Sequence, residues 1–377
     1  MRRMKVLKIK PNDNLFFGNG KRFDKGESIW LESRLMPYPS VFYGAICSLM
    51  LQLNKTCSNR YINNKNNTED DPRKYLTIRK IYIYDEKNKD VYMKAPLDLF
   101  VYKNKCSYGI FRKIESNVCT SSKDMSYFLF NDKKDFKRAD EFYIKRSSFY
   151  NGYFYGKEVD FYEAHRFITQ AYKVGIQREK GMTKDEHLYR IDLTQFNDTK
   201  WSYLVEYEIK DEWWNESDYT GLDRGYLKLG GENKSCKYWD VTDEQILKQY
   251  KDENDYKNKS KLVKLYISSP FISKYGGYQI IFKDSDKGNK AIKVLGISNK
   301  EPLFIGGYDM RTGHKPMYKA IPEGSIYLLE SDYFEGQIIK EIKKYIKEQI
   351  FLYDEEDSII KSGFNQFEVV PYREKGE

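Results

Sequence analysis

Residues 304–330, FIGGYDMRTGHKPMYKAIPEGSIYLLE, decide how the chain is read. The ends are strand-like. Between them lie the pair Gly306-Gly307 and a turn at Thr312-Gly313, followed by His314, Lys315 and Pro316. A second turn, Ile321-Pro322-Glu323-Gly324, precedes the apolar strand Ser325–Leu329. Glycine has no Cβ, so a glycine pair beside a strand lets another backbone or a ligand approach closely. Tyr308, Arg311, His314, Lys315, Tyr318 and Lys319 then add rings and positive charge within a dozen residues. Cations hold phosphates and flat faces stack bases, so this combination suits a single-stranded nucleic acid. The plainer reading is a decorated hairpin at a sheet edge, and spacing alone does not separate the two.

The composition sets the outer limits. A chain of 377 residues is long enough for two domains with real cores. Its 65 basic and 56 acidic residues leave a net charge of +9, which permits an anionic partner without requiring one. The 34 tyrosines and 22 phenylalanines often stand beside Lys or Arg, although Lys, Asn, Ile and Tyr are all abundant together. Cys47, Cys57, Cys106, Cys119 and Cys236 form no CxxC pair. With three histidines, no zinc-ligand spacing can be assembled, and neither a metal nor a cofactor is expected. The start MRRMKVLKIKPND is basic and lacks the apolar run of a signal peptide, which with the odd cysteine count points to a reducing cytoplasm.

Leu35–Leu53 carries no charge. Pro37 and Pro39 cut its helical part to about 14 residues, roughly 20 Å, short of a bilayer of about 30 Å. A buried helix is therefore expected and no membrane partner. Gly230-Gly231 is not followed by Lys-Ser/Thr, and no GxGxxG opens a helix, so nucleotide hydrolysis has no motif to support it.

Working outward, Lys5–Pro11 reads as a strand and Gly18-Asn19-Gly20 as a hairpin turn. Ser40 is the expected N-cap of a helix over Val41–Leu53. That helix is apolar nearly all round, and Gly44 inside it marks close packing or ligand approach. Asn54–Lys74 reads as an exposed Asn-rich insertion or loop, and Tyr75–Tyr84 as a strand. Phe111–Ala139 carries no clear period. Phe167–Ile176 and His187–Leu193 form two strands joined by a basic, flexible tip, Gln177–Asp185, which must project because it cannot be buried. Trp201–Ile209 alternates, and Gly225–Glu232 is a strand running into Gly230-Gly231. Val241–Lys261 is a charged helix or linker. Leu262–Ser268, Tyr278–Phe282 and Ala291–Ile297 are further strands. Gly336–Phe351 is amphipathic, with Ile338, Ile342, Ile346 and Ile350 on one face. Strands plus one main helix per half predict an α+β fold with antiparallel sheets, insertions and a projecting hairpin. No short repeat is present, which excludes solenoids and propellers.

Five stretches in this order resemble one family, the third subunit of the Cmr complex of type III-B CRISPR systems, in the RAMP superfamily. They are KIKPNDNLFFGNGKRFD, the Pro37-Tyr38-Pro39-Ser40 lead into VFYGAICSLML, YKVGIQREKG with HLYRIDL, LKLGGE, and IGGYDMRTGHKPMYKAIPEGSIYLLE. Two departures stand out. A Gly-aromatic-Gly turn is replaced by Gly363-Phe364-Asn365, and Lys228 is the only cation between Gly225 and Glu232.

The resemblance implies two ferredoxin-like (RRM-like) domains, residues 1–195 and 196–377, with a thumb-like hairpin at about 167–193. It implies a non-catalytic subunit that holds the 5′ tag of the CRISPR RNA. Such a subunit contacts the large polymerase-like subunit and the first RAMP backbone subunit. The expected phosphate contacts are Arg34, Lys173, Arg178, Lys228, Arg311 and Lys315. Stacking or base-edge contacts are expected of Tyr43, Tyr308 and His314. Ser40, Gln177, Gly230, Gly231, Gly306 and Gly307 complete the RNA-facing edge. Two rivals stand beside this reading. One is a metal-independent RAMP endoribonuclease using His314 as general acid or base, with His165 and His187 as weaker candidates. The other is a module that contacts only protein.

Overall fold

The computed structural model describes residues 4–18, 29–64, 68–115, 125–179, 182–247, 261–273, 276, 280, 292–309, 313–333, 335–350 and 358–373, the side chains of 29, 176–188, 335, 336 and 348–350 excepted. Two antiparallel sheets organise them. The first has eight strands in the order Phe161–Glu163, Phe142–Lys145, Asp90–Lys94, Leu76–Asp85, Trp201–Ile209, Lys5–Pro11, Lys234–Asp240, Arg224–Leu229. The second has four: Ile292–Ser298, Ile326–Ser331, Leu262–Ile267, Phe367–Pro371. Four consecutive strands of the first sheet (76–85, 201–209, 5–11, 234–240) run second, third, first, fourth in chain order among themselves. The second sheet repeats that order.

Side-chain alternation gives each sheet two apolar faces, and each face is covered. On the outer face of the first sheet, Leu7, Ile9, Ile78 and Val205 pack against Phe42, Ile46, Leu49 and Met50 of the helix Pro39–Leu53. On the inner face, Val6, Tyr82, Tyr84 and Leu204 meet Tyr266, Ile326, Leu328 and Val370 of the second sheet. The outer face of the second sheet (Val263, Leu265, Tyr327, Leu329) is covered by Ile338, Ile342, Tyr345 and Ile346 of the helix Glu335–Ile350. The stack is thus helix, sheet, sheet, helix.

Several expectations change. Trp201–Ile209 pairs with both Lys5–Pro11 and Leu76–Asp85, and Lys234–Asp240 pairs with Lys5–Pro11, so the first sheet runs on past residue 195 as far as Asp240. The helix begins at Pro39 with Tyr38 as N-cap and no side-chain cap. Proline at the first helical position loses no hydrogen bond there, so Ser40 is not the cap. The helix is also not apolar all round: Gly44, Ser48 and Gln52 form an exposed stripe. A Cβ on Gly44 would meet nothing within 4 Å, so no close approach explains it. Within Asn54–Lys74 lies a helix, Lys55–Asn63, started by Asn54, whose side chain accepts from the Cys57 amide at 3.1 Å. Phe111–Ala139 contributes parts of two small sheets through Ile110–Lys113, Tyr127–Phe130 and Lys137–Arg138. The hairpin is longer than expected, Ile168–Glu179 with Met182–Phe196. Its ladder enters the stretch read as a flexible tip, pairing Arg178 with Thr183 and Glu179 with Met182, with a register shift between Ile176 and Arg178. Apart from Gly18 and Ile280, the expected turn at Gly18-Asn19-Gly20 and strand at Tyr278–Phe282, like most of the linker 241–261, lie outside the described residues.

Gly363-Phe364-Asn365 remains a tight turn. Gly363 and Asn365 both have positive φ, +93° and +59°, a conformation asparagine tolerates better than most residues. The buried Asn365 amide accepts from the Ile272 N–H at 2.8 Å and donates to the Ile272 carbonyl at 2.9 Å. The asparagine therefore welds the turn to strand Phe271–Ile272. Among the described residues no helix is long and apolar enough to cross a membrane.

Candidate nucleic-acid interface

Leu303–Ile305 pairs with Tyr318–Ile321, and between them Tyr308–Asp309 pairs with Gly313–His314 as a two-rung hairpin. Tyr308 and His314 are direct cross-strand partners. Their rings meet edge to face at 5.3 Å between centroids, and Tyr308 is 67% exposed. Lys315 is exposed, and its amide donates to the Gly307 carbonyl at 2.9 Å. Tyr308, His314, Lys315 and the glycine pair are thus brought together at the surface. Arg311 lies outside the described residues.

The small hairpin is tethered from below. Asp309 pairs with Arg73 at 2.8 Å, and the same guanidinium is gripped by Asp71. The Tyr43 hydroxyl donates to the Arg73 carbonyl at 3.1 Å. Tyr43 is therefore not a stacking surface: its ring is buried in the core under the first helix, on the same face as Ile46 and Met50. Arg34 is committed in a comparable way. Its guanidinium lies 4.1 Å from the Tyr38 ring centroid and donates to the Tyr38 hydroxyl at 3.0 Å. That hydroxyl donates to the Phe304 carbonyl at 3.2 Å, and Arg34 also reaches Glu323 at 3.7 Å. Burial raises the Tyr38 hydroxyl pKa above its ordinary value, with Arg34 working against the shift. Arg34 and Tyr43 thus fasten the 304–323 stretch to the first helix rather than face outward. Ser40, the second residue of that helix, is half-buried.

The other glycine pair has a purely structural reason. Gly230 has φ +79°, and a Cβ there would stand 2.7 Å from the Phe16 carbonyl oxygen. The Gly231 amide donates to that same oxygen at 2.9 Å. The Gly231 N–H is therefore already engaged within the fold. Gly306 and Gly307 differ. Neither has positive φ, and a Cβ would meet only the Met317 thioether end or, at 3.5 Å, the Lys315 side chain. Lys228 is exposed on the outermost strand of the first sheet, and Lys173 of the long hairpin pairs with Glu232 at 3.2 Å. Gln177 and Arg178 lie on the hairpin backbone, but their side chains are outside the described residues.

One group escaped the sequence reading. Strand Ile29–Leu31 adds in parallel to Tyr189–Ile191 of the hairpin. There the Arg190 guanidinium lies 4.6 Å from the Trp30 ring centroid and 4.7 Å from that of Tyr172. Asp192 accepts from Trp30 Nε1 at 2.7 Å and from Arg190 Nε at 2.9 Å. The period-two alternation of Tyr172 with Val174 and of Arg190 with Asp192 was visible. The pairing that brings Trp30 to them was not.

For acid–base chemistry the surroundings are thin. Among the described residues no carboxylate is hydrogen-bonded to His314, whose ring contact is Tyr308. His165 is exposed and pairs with Glu163 at 2.8 Å, and the His187 side chain is outside the described set. No group of three or more His, Cys, Asp or Glu among the described residues is placed to hold a metal ion.

A chain of a type III-B Cmr-beta complex bound to cognate target RNA shares this architecture, with TM-score 0.51 and 17% identity over 96% of each chain. A second structure of that complex, with target RNA and AMPPnP, matches at TM-score 0.50 and 16% identity over the same shares. At these identities the likeness speaks for the fold. No curated protein sequence matches. The sequence profile of the CRISPR-associated protein family Cas_Cmr3 matches residues 7–370. That match covers nearly the whole chain, including both sheets, the long hairpin and the 304–330 stretch; the chain belongs to the Cas_Cmr3 family of CRISPR-associated proteins.

Proposed function

We propose that the chain is a non-catalytic RNA-binding subunit of a type III-B CRISPR effector complex. In this role it holds the 5′ tag of the CRISPR RNA and seats the large polymerase-like subunit beside the first RAMP backbone subunit. Its two units are ferredoxin-like, the first closing with Lys234–Asp240 and the second opening with Leu262–Ile267. The repeated second-third-first-fourth strand order supports that reading. The observation that carries the RNA assignment is the tethered hairpin at Tyr308–His314. It presents two exposed rings and Lys315 to solvent, while Arg73, Arg34 and Tyr38 hold its base in place. Nothing in the core requires those rings. A held, exposed ring face beside a cation suits an unstacked base and its phosphate, because little order remains to be lost on binding. Lys228 and Lys173 supply further charge on the first sheet and hairpin. With no carboxylate hydrogen-bonded to His314 among the described residues, the histidine is assigned to gripping a nucleotide rather than cutting one.

The test is photocrosslinking of the assembled complex to a tagged CRISPR RNA, with the labelled peptides mapped. Labels are expected within 167–193 and 304–319, and labels confined to 54–74 would refute the assignment. In parallel, incubation with repeat-containing RNA in chelator should leave the RNA intact. Cleavage that disappears in His314→Ala would establish the nuclease instead.

A further inference from the structure

Trp30, Tyr172, Arg190 and Asp192 lie on one face of the three-stranded sheet made by Ile29–Leu31 and the long hairpin. Register places Trp30 opposite Arg190 and Tyr172 opposite Asp192. Alternation sends Lys173 to the other face, toward Glu232. Of the five tryptophans, Trp30 alone is exposed, at 56%, and Tyr172 is 66% exposed. Large rings left in water on a folded sheet are worth explaining. Here each gives surface to the guanidinium between them and keeps more than half for solvent.

The arrangement is fixed in advance. Asp192 is buried, and its two oxygens accept from Trp30 and from Arg190. One carboxylate therefore sets the tryptophan's orientation and the guanidinium's position, and it also neutralises the guanidinium charge. A phosphate would find little net attraction, but a flat, weakly polar ring would find two prepared surfaces polarised by a cation behind them. Aromatic side chains on an open sheet face are a recurrent way to stack unstacked bases.

We propose that Trp30, Arg190 and Tyr172 form a stacking platform for unpaired nucleobases, separate from the Tyr308–His314 hairpin and tolerant of base identity. The proposal rests on the RNA-binding reading above and adds a site that holds bases without holding phosphates. Asp192 acts as a positioning residue.

The full chain, alone and in the assembled complex, is titrated with a fluorescein-labelled, unstructured single-stranded RNA over a range of salt concentrations. Tyr172→Ala and Trp30→Ala are each expected to weaken binding roughly 5- to 100-fold, the range for losing one stacked base. The slope of log affinity against log salt should not change, because no phosphate contact is lost. Lys315→Ala should instead flatten that slope. Tyr172→Phe should bind like the parent. Trp30→Phe should also bind, but should lose the quenching of tryptophan fluorescence that RNA causes in the parent chain.

Tyr172 is exposed, so its alanine variant is the safeguard should Trp30→Ala fail to fold. Parental affinity in a folded Tyr172→Ala chain, with RNA-induced quenching surviving in Trp30→Phe, overturns the platform and leaves the RNA reading standing. Parental RNA affinity combined with loss of a co-purifying subunit makes the face a protein contact, and also overturns it. Failure of the parent to bind RNA in both settings defeats the RNA reading itself, and the platform with it.

Discussion

Two glycine pairs look alike in the sequence and do different work. At Gly230 the left-handed backbone and the Phe16 carbonyl 2.7 Å from a would-be Cβ leave no room for a side chain. Gly230→Ala is therefore expected to destabilise the chain by roughly 2 kcal/mol, combining backbone strain with displacement of Phe16. Gly307→Ala should stay within about 0.5 kcal/mol, since its Cβ meets only ordinary contact. Denaturant unfolding of the two variants checks both. If Gly307→Ala instead weakens RNA binding while stability holds, the glycine serves the ligand rather than the fold. The tyrosines teach a similar lesson. Tyr43 was expected to stack, yet its spacing to Ile46 and Met50 marks the buried helix face, and its ring sits there. Tyr308 was legible as exposed beside a turn. Arg34 was not legible: a lone arginine before a helix gives no sign that Tyr38 and Glu323 will hold it.

At the level of elements, local pattern was a good guide wherever apolar residues set a period, as along Leu76–Asp85 and Glu335–Ile350. It misled where composition outweighed a single cap. Lys55–Asn63 is rich in weak helix formers, yet Asn54 satisfies its first turn and also donates to the Trp213 carbonyl at 2.8 Å. The two-rung hairpin at Tyr308–His314 is too short to hold itself, since one turn and two pairs bury almost nothing. Its order must come from Asp309, whose carboxylate is mostly buried against Arg73. Asp309→Asn removes the charge at that tether, a loss of about 1–2 kcal/mol for a charge-assisted bond. Amide exchange across 303–321 should then quicken about 5- to 30-fold, while global unfolding barely moves. Exchange that is unchanged there would mean that the Phe304 and Gly307 contacts suffice.

At the scale of the molecule, the extent of the first sheet was hidden because strands 201–240 return to a sheet begun nearly two hundred residues earlier, and no local pattern records a partner that distant. The two sheets meet across a middle layer that is aromatic and also charged. Lys264 on the second sheet donates at 2.9 Å to Asp98 and to the Tyr153 hydroxyl, all three buried. Lys264→Met strands the Asp98 charge and should lower stability by about 3–5 kcal/mol. Adding Asp98→Asn should recover part of it, a coupling that a double-mutant cycle would read. The tyrosines of this layer and its neighbours set the alkaline limit. Tyr82, Tyr143, Tyr153, Tyr203, Tyr207, Tyr266 and Tyr327 are almost fully buried, and burial raises each hydroxyl above its ordinary value of 10. The folded chain keeps these protons while the unfolded chain releases them near pH 10. Their contribution is therefore complete below pH 10 and is lost as pH rises above it, at about 1.4 kcal/mol per pH unit for each group. Seven such groups give a slope on the order of 10 kcal/mol per pH unit, against a total stability of about 5–15 kcal/mol. Unfolding should accordingly begin within one to two units above pH 10. The tyrosinate absorbance of these seven rings should rise in one step together with loss of the sheet signal in the circular dichroism. Gradual ionisation of every tyrosine with the sheets intact would show that water already reaches the layer between them.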